Sequence, residues 1–198
     1  MVLGLHALYN LIAPFMRAYG YGALFILMAL ESSSLPVPSE VVLPLAGALA
    51  HSGTFRVYIA FAVSVLGSLV GSAVDFYIGY AVSKEAVYSH LGLFHIKRKT
   101  LEAFDRWFDR NAVPAVLLSR LVPVVRTFMS FPAGFARMSL KRFFALTAAG
   151  CAVWNAVLIA FGYYLVAVGN VTTMLAAVGV FAIGLYLVYR LAMRRMAR

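Results

Sequence analysis

Glu31-Ser-Ser-Ser-Leu-Pro36-Val-Pro38-Ser-Glu40 interrupts an otherwise apolar stretch, Tyr21–Ala50. Two acids, two prolines and four serines stand where a lipid-facing helix has to stay continuous. A second apolar stretch, Ala112–Ala136, is broken in the same way by Arg120, Pro123, Arg126 and Pro132. Irregular backbone survives at membrane depth only where protein or a water-filled cavity surrounds it. Both stretches therefore read as re-entrant helical hairpins, each returning to the face it came from, rather than as crossings.

The rest of the chain supplies the membrane setting. Of 198 residues, 63% are apolar and 12% charged, against roughly 45–50% and about 25% in a soluble domain. A single soluble core of this size would leave large apolar patches in water, which excludes a soluble globular enzyme. The mean hydropathy of +0.89 agrees. Val57–Ser83, whose only charge is Asp75, and Phe143–Gly169, which has none, read as full spans. Val171–Tyr189 reads as a third, after a turn near Gly169-Asn170. The expected fold class is an all-α integral membrane protein.

Charge placement sets the topology. Segments 84–110, 137–142 and 190–198 hold thirteen of the 17 Lys and Arg residues. The opposite face receives only Arg17 and Arg56. This positive-inside bias makes the central connector and the C-terminus cytoplasmic. Lys97–Arg110 gathers Leu101, Phe104, Trp107 and Phe108 on one helical face, so it reads as an in-plane amphipathic helix or as a connector packed on the protein's own base. The net charge of +10 is thereby assigned to orientation and anionic headgroups, and no nucleic-acid partner is expected.

Laid on itself with an offset of 87, the chain pairs Pro36 with Pro123, Ala46 with Ala133 and Gly47 with Gly134. Each half runs as broken hairpin, glycine-containing return arm, short basic turn and span. An odd number of crossings separates the hairpins, so the repeat is inverted, an architecture of secondary transporters. The expected organisation is a single membrane domain. It has an interfacial helix or further crossing over 1–19, a first repeat over 20–83 and an amphipathic connector over 84–111. A second repeat follows over 112–169, then a last span and basic tail over 170–198.

Four ionisable side chains fall inside the hairpins: Glu31 and Glu40 in the first, Arg120 and Arg126 in the second. Each costs about 2.5–3.5 kcal/mol at the bilayer centre on insertion scales. They should therefore face one another or water. Two buried ion pairs with a purely structural role are one reading, although such pairs are poor stabilisers. In the functional reading, Arg120 and Arg126 present planar forks suited to a phosphate headgroup. Glu31 and Glu40, withdrawn from water, exchange protons and release the arginines to phosphate. Asp75 stands on one helix face with Gly67, Gly71 and Gly79; the glycines read as close packing, and Asp75 as an arginine's partner or a substrate contact. Trp154 and Asn155 read as packing and interhelical hydrogen bonding. The one cysteine, Cys151, excludes an intrachain disulfide, and His6, His51, His90 and His95 form no close ligand pair, so no metal or cofactor is expected.

These strings, Leu30-Glu31 through Leu35-Pro-Val-Pro-Ser-Glu40 to Gly47, then Gly71 to Asp75-Phe-Tyr-Ile-Gly79, then Ser119-Arg120-Leu-Val-Pro123-Val-Val-Arg126-Thr127 to Gly134 and Met138, resemble the DedA family of bacterial inner-membrane proteins. The resemblance covers about residues 20–170 and departs from the usual pattern at Ser39, where a glycine is common. It implies two opposed re-entrant hairpins, essential acids at Glu31 and Glu40, and essential arginines at Arg120 and Arg126. Asp75, Pro36, Pro38, Ser39, Gly47, Pro123, Thr127 and Gly134 would support them. It further implies a multi-pass transporter of the inner membrane that returns undecaprenyl phosphate, with protons, for cell-envelope synthesis. Flipping or scrambling of phosphatidylethanolamine or other phospholipids is the alternative. A lipid phosphatase would need a histidine nucleophile, and none lies in the hairpins. The sequence leaves open whether the chain acts alone or as a homodimer.

Overall fold

The computed structural model describes residues 2–35, 37–82, 111–113, 115–117, 119–120, 126 and 129–166, with side chains from residue 11 onward. Pro36, Pro123, Thr127, the connector at Lys97–Arg110, the span at Val171–Tyr189 and the basic tail lie outside the described residues. Every regular element among the described residues is helical.

The first helix, α1 (Val2–Ser32), is broken at Gly20, whose φ of 58° and ψ of −132° suit a residue without a Cβ. It ends in a Schellman closure, where the Leu35 N–H donates to the Leu30 carbonyl at 3.2 Å. The left-handed position of that closure is Ser34, at φ 60°, where glycine is usual. After Pro38, α2 (Ser39–His51) is buried on nearly all sides, from Val41 through Gly47 without a gap. Its 13 residues extend about 20 Å, well short of a hydrocarbon core of about 30 Å. The long helices are α3 (Val57–Ala81) and α5 (Leu140–Leu165), and between them lies the short α4 (Ser130–Phe135).

Among the described residues, three helices are long and apolar enough to cross a membrane: Leu11–Ser32, Val57–Ala81 and Leu140–Leu165. Two of them are expected spans with moved ends. α3 stops at Ala81 rather than Ser83, and α5 begins at Leu140 rather than Phe143, taking Lys141 and Arg142 into its first turn. Both are exposed there, and long basic side chains at a helix end reach the membrane surface, so they do not stop the helix. The third, Leu11–Ser32, runs through the non-helical Gly20, the point at which the sequence reading divides an interfacial helix or further crossing over 1–19 from the stretch that follows.

α3 and α5 pack antiparallel. The Asn155 amide donates to Ser64 at 3.1 Å, and one turn or two further along, Arg120 joins Ser72 to Thr147. The short helices dock crosswise on these two: α2 on α5, and α4 on α3. The docking is reciprocal and made by glycines. A Cβ on Gly47 would strike the Ile159 carbonyl and the Tyr163 amide, and one on Gly162 would strike the Pro44 carbonyl. On the other side a Cβ on Gly134 would strike the Phe76 carbonyl and the Tyr80 amide, and one on Gly79 the Phe131 carbonyl. Pro44 and Gly47 stand 87 residues before Phe131 and Gly134, the offset of the sequence repeat.

Among the described residues, the buried apolar side chains form two clusters. One gathers α1 and α2 with Trp154, Leu158 and Ile159 of α5, and the other is built from Phe76, Val116, Ala133 and Phe143. Two arginines join them: the Arg126 guanidinium lies 5.1 Å from the Trp154 ring centre and that of Arg120 lies 5.7 Å from the Phe143 ring centre.

Candidate functional site

Glu31 is in the last turn of α1, placed there because the serine run that follows ends the helix. Its carboxylate is 4% exposed and takes an ion pair from Arg126 Nη2 through Oε1. Its second oxygen, Oε2, accepts the Ser32 hydroxyl at 3.0 Å. Ser39, the first residue of α2, also accepts from Arg126 Nη2, at 2.6 Å. Thus both edges of the break between α1 and α2 converge on one guanidinium of the second interrupted stretch. Of the remaining donors of Arg126, Nε is buried and has no hydrogen-bond partner, and Nη1 makes no hydrogen bond to a described residue.

Arg120 sits deeper, 2% exposed, and no described carboxylate forms an ion pair with it. Its partners are neutral oxygens. Nη1 donates to the Arg126 carbonyl at 2.7 Å and to Ser72 at 3.3 Å, and Nη2 donates to Ser130 at 2.9 Å and Thr147 at 3.1 Å. A Cβ on Gly150 would press on the Arg120 Cβ and Cγ, so that glycine makes the room for the side chain's stem.

The two other acids are treated differently. Asp75, 6% exposed, accepts the Ser34 hydroxyl through Oδ2. Among the described residues Asp75 hydrogen-bonds to a serine, while Arg120 acts on it through charge. The serine bond also answers the left-handed backbone of Ser34, because it fixes the residue that closes α1 against α3. Glu40, half-buried in the first turn of α2, makes no ion pair or hydrogen bond with a described residue.

The structure therefore brings together Glu31, Ser39, Arg120 and Arg126. It sets Asp75 one serine away and places Pro38 at the N-cap of α2. Gly47 and Gly134 serve helix docking rather than the charged cluster. Sequence reasoning misses Ser72, Ser130 and Thr147 as arginine acceptors, and Phe143 as an arginine's stacking partner. One signal was present: Ser64, Ser68 and Ser72 repeat every four residues, a polar stripe on an apolar helix, and all three are fully buried. Trp154 and Asn155 do pack and bond between helices, and Trp154 also faces Arg126.

Comparison with known proteins adds a lineage to this geometry. Residues 37–164, well over half the chain, match the VTT domain. The chain belongs to the VTT domain family. Both arginines, Glu40 and the four docking glycines lie inside the matched region, while Glu31 precedes it. Among relatives of this family, "Undecaprenyl phosphate transporter A" of Staphylococcus aureus is 32% identical over 157 residues, covering 77% of each chain. "Protein DedA" of Escherichia coli K12 is 28% identical, over 77% of this chain and 73% of its own, which agrees with the DedA resemblance. A Lactococcus lactis relative called "Alkaline phosphatase-like protein" is also 28% identical, over 85% of this chain and 80% of its own. No solved structure matches the chain.

Proposed function

We propose that this VTT-family membrane protein carries a phosphate-bearing lipid, undecaprenyl phosphate, across the bacterial inner membrane in a proton-coupled cycle, and so supports cell-envelope synthesis. The observation that carries the reading is the Arg126–Glu31 pair. It is a buried cation held by an acid and one hydroxyl, with its Nε buried and unpartnered. Lipid phosphate is a better fork partner than one carboxylate oxygen. Protonation of Glu31 removes the competitor and lets the phosphate in; loss of that proton expels it. Glu40, half-buried and without a described partner, is the second proton carrier. Asp75 and Ser39 hold the first hairpin in place, and Arg120 adds positive charge to the site.

Two further features support a transporter built as an inverted repeat of re-entrant hairpins. α2 and α4 are too short to cross a bilayer, and each docks through glycines on an antiparallel long helix at the same repeat spacing. The thirteen-to-two bias of basic residues supports a cytoplasmic C-terminus. The relative's name containing "alkaline phosphatase" finds little support in the cluster, whose described members are Glu, Ser, Thr, Arg, Trp and Phe, without a histidine nucleophile.

A second reading rests on Glu40. A carboxylate without a described partner, next in sequence to the Ser39 that accepts from Arg126, also suits the amine of phosphatidylethanolamine. Proteoliposomes with labelled undecaprenyl phosphate or phosphatidylethanolamine, with and without a pH gradient, decide between the two. Undecaprenyl phosphate should be flipped by the wild type and not by Arg126→Ala. Flipping of phosphatidylethanolamine alone selects the second reading, and flipping of neither lipid overturns both.

A further inference from the structure

The two arginines look alike in sequence and differ in what they have left to give. A guanidinium has five N–H donors, and a phosphate is best held by two on one edge. In Arg120 both terminal nitrogens are engaged twice, by four neutral oxygens on four separate segments: Ser72 of α3, Ser130 of α4, Thr147 of α5 and the Arg126 carbonyl. Only Nε is unpartnered, and a lone N–H is not a fork. Its stem is wedged against Gly150 and its plane lies over Phe143. Arg126 engages one terminal nitrogen, with Glu31 and Ser39, and leaves Nε unpartnered, so that displacing the Glu31 carboxylate frees a fork made of Nε and Nη2.

From this we infer that Arg120 is a positioning residue that acts through Arg126 and does not touch the lipid phosphate. Its 2.7 Å bond to the Arg126 carbonyl fixes the backbone from which the ligand arginine projects. Its other three bonds tie that point to α3, α4 and α5. Arg120 thus sets where the Arg126 guanidinium stands between Glu31 and Trp154. A lysine keeps the charge but cannot hold four acceptors in a planar array. The inference deepens the proposed function and rests on it for the identity of the ligand, but not for the geometry.

Trp154 supplies a readout independent of any lipid, because the Arg126 guanidinium lies over its ring. The chain has two tryptophans, so a Trp107→Phe background leaves Trp154 as the only one. In purified, detergent-solubilised full-length protein, Arg120→Lys should shift Trp154 emission, and Thr147→Val should shift it in the same direction. Thr147→Ser, which keeps the hydroxyl, should leave it at the parent value. Titration with undecaprenyl phosphate in micelles then gives a double-mutant cycle. Arg120→Lys should weaken binding about 10-fold alone and less than about 2-fold when Arg126 is already lysine, because the two act as one unit. Equal losses in both backgrounds, or tighter binding in Thr147→Val because a freed Arg120 reaches the phosphate, would overturn the inference. Unchanged Trp154 emission in Arg120→Lys would overturn it as well. If the wild type binds no undecaprenyl phosphate, the lipid reading fails and the emission shifts alone decide the role of Arg120.

Discussion

Arg126 and Glu31, 95 residues apart in the chain, form an ion pair in which both side chains are buried. It is the contact by which the break in one apolar stretch holds the break in the other. A pair removed from water stabilises little beyond what its desolvation costs, yet leaving one member alone is expensive. The pair is therefore better suited to holding an alternative than to holding the fold.

Removing the acid's charge should separate binding from turnover. Glu31→Gln mimics the protonated acid, so undecaprenyl phosphate should bind it more tightly than it binds the wild type at the same pH. Transport by Glu31→Gln should be lost because Arg126 is not reclaimed. Binding titrations beside flipping assays check both halves.

The two hairpin acids should differ in stability. Arg126→Ala leaves Glu31 buried and unpaired, and should cost about 3–5 kcal/mol. Glu40→Gln alters a half-buried side chain without a described partner and should stay within about 0.5 kcal/mol, while still changing the response of transport to a pH gradient. Thermal unfolding in detergent and flipping with and without the gradient measure these.

Ser34 offers a comparison of backbone against side chain. Ser34→Ala keeps a left-handed residue with a Cβ and loses the bond to Asp75, and should cost about 1–3 kcal/mol. Ser34→Gly loses the same bond but relieves about 1 kcal/mol of backbone strain, so it should be the milder change. Unfolding temperatures of the two variants, together with Asp75→Asn, give the ranking.

The reciprocal docking predicts matched effects at distant positions. Gly79→Ala and Gly162→Ala each place a methyl against a backbone carbonyl, of Phe131 and of Pro44. Each should destabilise by about 1–3 kcal/mol through overpacking. Gly53→Ala meets no neighbouring atom, but it forces an alanine to φ 80° and should cost only about 1 kcal/mol through that strain. Unfolding in detergent distinguishes a steric series from a conformational one.

Much of the charged cluster was legible because a bilayer makes few exceptions. Glu31, Arg120 and Arg126 stand out in apolar runs, and cost alone identifies them. Their separate roles were not legible, since the acceptors of Arg120 come from Ser72, Ser130 and Thr147, neutral residues that sequence alone cannot bring to one point. The first break was legible from serine and proline, which end helices for local reasons: α1 stops at Ser32 and α2 starts after Pro38. The division at Gly20 falls where the backbone leaves the helix; that the segments on its two sides continue one another was not legible, because a glycine ends a helix or kinks it with the same local signal. Lys141 and Arg142 misplaced the start of α5 for a related reason, as hydropathy sees their charge and not their reach.

The crosswise docking of α2 on α5 and α4 on α3 has a bearing on ancestry. The glycine seat of each short helix comes from the other half of the chain. A chain of half the length would leave that seat empty unless a second copy supplied it. Joining the two halves in one chain supplies both seats in a fixed one-to-one ratio.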